Sequence, residues 1–145
     1  MPLENLGSTF AHQGNLATAR TLFEEQLALA RLLDDASRRS GALTGLGWIA
    51  RQHGDYATAH THFAEALTIR RTLRESWMIG EALDLLGEVL QQQGEGEEAG
   101  HHYREGLAVA HEVGDKGGMA LIFYHLGTLA QAQSQPARAA CLLAV

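Results

Sequence analysis

The sequence predicts an all-α protein in which antiparallel helix pairs repeat along the chain and stack into a solenoid. Three observations predict this fold class. The dipeptide Leu-Gly recurs every 40 residues, starting at positions 6, 46, 86 and 126. Within each unit the apolar residues keep the three- and four-residue spacing of one helix face, and no segment alternates apolar and polar residues as a strand would. We therefore expect helices throughout and no sheet.

Other columns of the repeat keep the same step and divide the chain. Small residues recur as Gly14, Gly54 and Gly94 and as Ala19, Ala59, Ala99 and Ala139. An aromatic column contains Phe23, Phe63 and Tyr103. These columns predict one repeat domain over residues 1–145, with units at about 1–35, 36–75, 76–115 and 116–145, of which the first and last are incomplete.

Each unit is predicted to contain two helices, A and B, joined by a tight turn. In the second unit helix A ends at Gly54, which suits a left-handed C-cap, and Asp55 supplies the N-cap of helix B. Asn15 is the equivalent cap one unit earlier. The predicted helices cover residues 2–13, 16–33, 37–53, 56–73, 77–93, 97–113 and 117–133, with a short terminal piece from 136.

Glycines inside the A helices predict close packing between the two helices of a unit. Gly47 and Gly87 each cost about 1 kcal/mol against alanine in a helix interior. We expect the compensation to be a close approach of the partner helix near Ala59 and Ala99. Replacing Gly87 with leucine should then destabilise the protein far more than a surface change does.

The composition excludes several classes of function. The chain has 145 residues, 46% of them hydrophobic, which suffices for one packed domain. Its formal net charge of −6 at pH 7 disfavours direct binding of nucleic acid or an anionic membrane. The single cysteine, Cys141, forms no intrachain disulfide and is predicted to pack in an apolar segment. No apolar run approaches a membrane span and the start is unlike a signal peptide, so we expect a cytoplasmic protein.

The repeated columns resemble the tetratricopeptide repeat. That family places a large apolar residue, Leu-Gly, an apolar residue, alanine, an aromatic residue and a small residue at fixed offsets. In the second unit the matching residues are Leu43, Leu46, Gly47, Ala50, Ala59, Phe63 and Ala66. The period is 40 residues here and about 34 in the family. Arg31, Arg71 and His111 stand where the family commonly has proline, and helices longer by close to a turn would explain both departures.

The resemblance implies a right-handed superhelix that binds a protein or peptide. Such long repeats are similar to the superhelical sensor regions of bacterial signalling ATPases and transcription regulators, so we expect a scaffold within a larger bacterial regulatory protein. The chain begins inside a predicted helix and ends in apolar residues, whereas a solenoid normally ends in a polar cap, which indicates a piece of a longer protein. The alternative is a structural module that forms homo-oligomers through these apolar ends.

The resemblance also implies where a ligand would lie, because tetratricopeptide proteins usually bind it in a concave groove lined by the A helices. The groove residues are then Thr44, Trp48, Arg51, Glu81, Asp84, Glu88, Gln91, Tyr124 and Thr128. An exposed Trp48 and Tyr124 beside three carboxylates would suit a basic or apolar peptide. The alternative is an ordinary solvated face. If the carboxylates do not support the core, replacing Asp84 and Glu88 with lysine should weaken binding and leave helicity intact.

The histidines do not predict a metal site. His60 and His62 are two residues apart, and His101 and His102 are adjacent, so neither pair has the four-residue spacing of a helical zinc site. No cysteine cluster could supply the missing ligands. We therefore expect no bound metal.

Cofactor binding and catalysis are not predicted either. The segment Gly94–Ala99 matches a dinucleotide-binding fingerprint in letters, but it follows a predicted helix and carries three acids that would repel a pyrophosphate. Arg70, Arg71 and Arg74 lie near a helix C-terminus and are interpreted as complements of its dipole, with a phosphate patch as the alternative. No Ser/His/Asp or Cys/His arrangement can be placed, so we expect a non-enzymatic protein without a cofactor.

Overall fold

The computed structural model describes the backbone of residues 15–143 and the side chains of residues 15–134. Within that range the chain forms six α-helices and no strand. They are α1 (Leu16–Leu32), α2 (Ala36–Gln52), α3 (Tyr56–Leu73), α4 (Ser76–Gln92), α5 (Gly96–Val113) and α6 (Lys116–Leu143). The helix predicted at 2–13 lies outside the described residues. The other predicted helices are present, with one correction at α6 given below.

The turns between helices follow from the residues that end and begin them. Gly54 and Gly94 take positive φ angles of 76° and 81° between α2 and α3 and between α4 and α5. A left-handed residue suits glycine because it has no Cβ to clash with the backbone. The side chains of Asn15, Asp35 and Asp55 accept hydrogen bonds from the free N–H groups of the helices that they precede. The predicted caps at Asn15 and Asp55 are thus confirmed.

The helices stack in sequence order as antiparallel hairpins. The A helices of the second, third and fourth units are α2, α4 and α6, and the B helices of the first three are α1, α3 and α5. Each A helix packs on the B helix before it, α2 and α4 also pack on the B helix after them, and α4 also touches α6. None of the helices in the described part of the chain is long and apolar enough to cross a membrane.

The aromatic column forms the centre of the core. Phe23, Phe63 and Tyr103 are 3%, 1% and 0% exposed. Each ring lies against a glycine: a Cβ added at Gly47 would fall 2.6 Å from the Phe63 ring, and one added at Gly87 would collide with the Tyr103 ring. The predicted close approach of the partner helix is therefore present, and the atoms nearest each glycine belong to the aromatic ring of helix B.

The last helix corrects the sequence prediction. A break near residue 133 and a new start at 136 were expected, but α6 continues without interruption to Leu143. The turn column that holds Gly54 and Gly94 has Ser134 here, and a non-glycine residue resists the left-handed conformation that ends the other A helices. The helix instead runs through Pro136, although proline lacks the N–H that a helix interior uses.

Candidate functional site on the A helices

The residues predicted to line a groove lie on the three described A helices. Thr44, Trp48 and Arg51 are on α2, Glu81, Asp84, Glu88 and Gln91 are on α4, and Tyr124 and Thr128 are on α6. Steps of three and four residues keep each set on one side of its helix. The structure brings several of them into contact across helices, so this surface, the A-helix face, is one continuous candidate site.

Ion pairs run across the A-helix face from one helix to the next. Arg51 Nη1 on α2 lies 3.1 Å from Glu88 Oε2 on α4. On α6, His125 Nδ1 donates to Asp84 Oδ1 at 2.6 Å, and its Nε2 lies 3.9 Å from Glu88 Oε2. Asp84 is only 6% exposed. The expected row of free surface carboxylates is therefore wrong for Asp84 and Glu88, because Asp84 is bonded to His125 and Glu88 is paired with Arg51.

His125 is the residue of this site that sequence reasoning missed. Its hydrogen bond with Asp84 raises the pKa of the imidazole above its ordinary value; burial opposes this effect, and the charges of Asp84 and Glu88 add to it. The ring therefore keeps its proton, and its positive charge, to a higher pH than a free histidine does. Positions 45, 85 and 125 hold Gly45, Leu85 and His125, so no column of the repeat indicated a histidine here.

A second layer of hydrogen bonds fixes the orientation of these groups. Tyr103 stacks on His125, with ring centroids 5.6 Å apart and planes inclined by 30°. The Tyr103 hydroxyl donates to Gln91 Oε1 at 3.0 Å, and Gln91 Nε2 donates to Thr128 Oγ1 at 3.4 Å. Burial, followed by the charges of Asp84 and Glu88, raises the pKa of the Tyr103 hydroxyl. Tyr103 therefore remains a neutral hydrogen-bond donor beside the carboxylates.

The arginines near the end of α3 do not form a common phosphate patch. Arg70 is 1% exposed, donates to Met78 O and Thr44 Oγ1 at 3.1 Å each, and lies 3.7 Å from Glu81. Arg71 pairs with Glu105 of α5 at 2.7 Å. Arg70 thus links α2, α3 and α4 through its side-chain contacts. The interpretation of Arg70 as a complement of the helix dipole did not include this role.

The exposed aromatic residues differ from the prediction. Tyr124 is 67% exposed, as expected. Trp48 is half-buried and packs between the core of the second unit and that of the third, so it is not the exposed contact that was predicted. Trp77 on α4 is 57% exposed, and it was not among the predicted groove residues. A tryptophan is therefore exposed on an A helix, but it is Trp77 and not Trp48.

An apolar cleft of about 170 Å³ opens beside Trp77. It lies between the first half of α4, the end of α5 and the first half of α6. Its apolar walls include Trp77, Val113, Leu121 and Ile122, and its charged residues are Glu81, Asp84 and Asp115. The lining residues include acids and no lysine or arginine, so the cleft favours a ligand that combines an apolar body with a positive charge.

Three side chains of the A-helix face could hold a metal ion. One carboxylate oxygen each of Asp84 and Glu88 and one ring nitrogen of His125 lie within 4.8 Å of one another. Asp84 and Glu88 are four residues apart on α4, the spacing that places two ligands on one helix face. The spacing of the histidine pairs did not indicate this cluster, because it combines two carboxylates of one unit with a histidine of the next.

Comparison with known proteins identifies the repeat. A family model of the tetratricopeptide repeat matches residues 1–72 and 79–144. The crystal structure of the TPR domain of Arabidopsis FLU is similar, with a TM-score of 0.68 and 28% sequence identity over 73% of this chain and 89% of that one. BtubC from P. vanneervenii has a TM-score of 0.72 at 15% identity, over 98% of this chain and 62% of that one, and shows the fold alone. No curated protein matches the sequence significantly.

Proposed function

The chain belongs to the tetratricopeptide repeat family, and we propose that it is a scaffold that binds an extended basic and apolar segment of a partner protein along the A-helix face. The observation that carries this proposal is the cleft beside Trp77, where exposed apolar side chains adjoin two carboxylates on α4 and that of Asp115, just before α6. Members of this family generally bind protein partners.

The cleft suits one large side chain of a partner. Its volume of about 170 Å³ is close to the roughly 150 Å³ of an apolar cavity that holds benzene. Trp77 and Leu121 are 57% and 50% exposed in the free protein, so a side chain seated between them would remove apolar surface from water. Exposed aromatic residues of this kind commonly dominate the energy of an interface.

The charges around the cleft favour a basic segment. Glu81 is the most accessible carboxylate, with its side chain 50% exposed and the Arg70 guanidinium 3.7 Å away on its buried side. Asp84 and Glu88 are already paired with His125 and Arg51, so they add less attraction than the sequence suggested. We therefore assign Glu81 the main electrostatic role, supported by the overall charge of −6.

Selection from a phage-displayed library of random peptides tests this function. We expect the enriched peptides to combine arginine or lysine with an aromatic or aliphatic residue. Leu121→Asp should weaken their binding at least tenfold, while Leu32→Asp should not, because Leu32 is 81% exposed at the end of α1 and away from the cleft. Failure to enrich any peptide, or equal binding by the two variants, would refute the proposal.

The second candidate function is a structural role, and the exposure of Phe123 favours it. Leu43 and Leu83 in the same column are fully buried, but Phe123 is 56% exposed on α6. A further unit or a second copy packed on α6 would cover it. Sedimentation at increasing concentration distinguishes this role: a self-associating chain should become monomeric on Phe123→Glu, whereas a scaffold with a separate partner should sediment as a monomer throughout.

The regulatory context stays a proposal as well. The 40-residue period resembles that of repeat regions in bacterial signalling ATPases and transcription regulators, and the single cysteine suits a cytoplasmic protein. The genomic sequence on either side of the segment tests it. An adjoining ATPase or DNA-binding domain would support this context, and a gene that encodes no further domain would contradict it.

A further inference from the structure

The side chains of Asp84, Glu88 and His125 meet where α4 and α6 touch. We propose that these three residues form a binding site for one divalent transition-metal ion of the Zn²⁺ class. This site shares Asp84 with the cleft beside Trp77, but its proposed ligand is a metal ion, and the proposal does not rest on partner binding. It would join the third unit of the solenoid to the fourth.

The geometry is close to what such an ion requires. Zinc binds nitrogen and carboxylate oxygen at about 2.0–2.2 Å, which separates two ligands of a tetrahedral ion by about 3.3 Å. One carboxylate oxygen each of Asp84 and Glu88 and one ring nitrogen of His125 lie within 4.8 Å of one another, and Asp84 Oδ1 is 2.6 Å from His125 Nδ1. Rotation of the three side chains could therefore admit an ion without moving either helix.

Neighbouring groups hold the three ligands in place. Tyr103 stacks on the His125 ring, and Arg51 contacts Glu88 Oε2 at 3.1 Å. Outer partners of this kind orient metal ligands and commonly affect metal affinity. Once His125 has lost a proton and can act as a ligand, the two carboxylates and the Arg51 guanidinium have a net charge of −1, which a divalent cation offsets. The proton that His125 now shares with Asp84 would leave to solvent when the ion binds.

The donor set selects the class of ion. An imidazole suits zinc, cobalt and nickel, whereas calcium takes six to eight oxygen ligands and magnesium keeps several waters. One nitrogen and two carboxylates therefore favour Zn²⁺ or Co²⁺ over Ca²⁺ or Mg²⁺. Three protein ligands also leave one tetrahedral position open, as in zinc sites that retain a water molecule.

Calorimetric titration of the chelator-treated 145-residue chain with ZnCl₂ tests the site. We expect one ion per chain, an increase in melting temperature, and at least tenfold weaker binding by Glu88→Gln, which removes the charge and keeps a polar group beside Arg51. The matched control is His102→Ala, because His102 lies on α5, outside the cluster of three ligands, and its ring Nδ1 is 2.9 Å from Glu98 O. This control should bind Zn²⁺ as the wild type does.

A second measurement keeps the test decisive if Glu88→Gln disturbs folding. Co²⁺ added to the wild type should give the visible absorption of a low-coordinate site, and Asp84→Asn, which can still accept a hydrogen bond from His125, should abolish it. The proposal is overturned if the wild type binds no ion. It is equally overturned if Glu88→Gln and Asp84→Asn bind like the wild type, or if His102→Ala removes the binding.

Discussion

Single residues in the same column of the repeat have different surroundings, and the Leu-Gly column shows this most clearly. A side chain at Gly87 would collide with the Tyr103 ring, whereas no atom of the described residues lies within 4 Å of a Cβ placed at Gly127. The sequence predicted a close helix contact at Gly47 and Gly87. The role depends on whether an aromatic ring of helix B reaches the glycine, and this is a property of the folded neighbours.

Alanine at the two glycines should therefore have opposite effects on stability. Gly87→Ala places a methyl group against the buried Tyr103 ring, and overpacking of this kind costs about 1–3 kcal/mol. Gly127→Ala meets open space and should gain up to about 1 kcal/mol, because alanine is the better helix former. Urea denaturation of both variants measures the difference. Equal and destabilising effects would contradict the assigned contact.

The pH dependence of stability should include a contribution from His62. Burial lowers the pKa of His62, and the nearby charge of Glu65 opposes the shift. A histidine whose folded pKa lies below its unfolded value of about 6.5 contributes stability above that value and loses it as the pH falls through the folded pKa. His62→Gln should flatten the decline in unfolding free energy between pH 7 and pH 5, and the exposed His101→Gln should not. Identical pH profiles would exclude this contribution.

The site shows what the repeat pattern could and could not predict at this scale. The repeat pattern predicted that Thr44, Arg51 and Glu88 lie on the A-helix face, because helical spacing and the family resemblance indicate which side of a helix each residue occupies. The repeat pattern could not show that Asp84 is buried, since its partner His125 has no other histidine in its column. Comparing the residues within one column of the repeat does not reveal a contact between residues that occupy two different columns in neighbouring units.

Helices begin and end where the turn residues dictate, and most of these ends could be predicted. Gly54 and Gly94 supply the left-handed conformation that closes α2 and α4. The end of α6 was mispredicted because the 40-residue period was extended to a unit whose turn position holds Ser134 in place of glycine. Glycine favours the positive φ that ends α2 and α4, although Asp34 and Arg74 adopt it after α1 and α3, and the period of the repeat does not show which residue will.

Substituting a turn glycine measures this preference. Gly94→Ala should destabilise the protein by about 1–2 kcal/mol, because φ is positive there and an L-residue is strained even though nothing lies within 4 Å of the new Cβ. Gly94→Asn should cost less, since asparagine tolerates the left-handed region. The control is Gly117→Ala in the first turn of α6, where φ is not positive and the added Cβ makes only an ordinary contact. A stable Gly94→Ala protein would refute the explanation.

At the scale of the whole molecule, the stacked units are joined by buried polar groups as well as by apolar packing. Arg70 extends from α3 to Thr44 on α2 and Met78 on α4, so one side chain spans two units. The order of stacking was predictable from the repeat, because each helix pair must cover the apolar face of the next. The link made by Arg70 was not predictable, because the equivalent positions of the neighbouring units are Ala30 and Ala110.

Two adjacent arginines test this link. Arg70→Met should cost about 1–3 kcal/mol, because it leaves buried acceptors on α2 and α4 without their donor. Arg71→Met removes only the surface pair with Glu105, which is worth about 0–1 kcal/mol. Thermal denaturation of the two variants gives the comparison. If Arg71→Met is the more damaging change, the link between α2, α3 and α4 does not depend on Arg70.

The contact between Asp84 and His125 also restricts how this array could be lengthened. If residues 76–115 were copied and inserted after themselves, the first Asp84 would face the copy of Leu85, because Leu85 occupies the column of His125. A carboxylate that is 6% exposed would then have no donor beside it, and an unpaired buried charge is strongly unfavourable. The units are therefore not interchangeable modules, and an engineered extension of the array would need a histidine at the Leu85 position of the inserted copy.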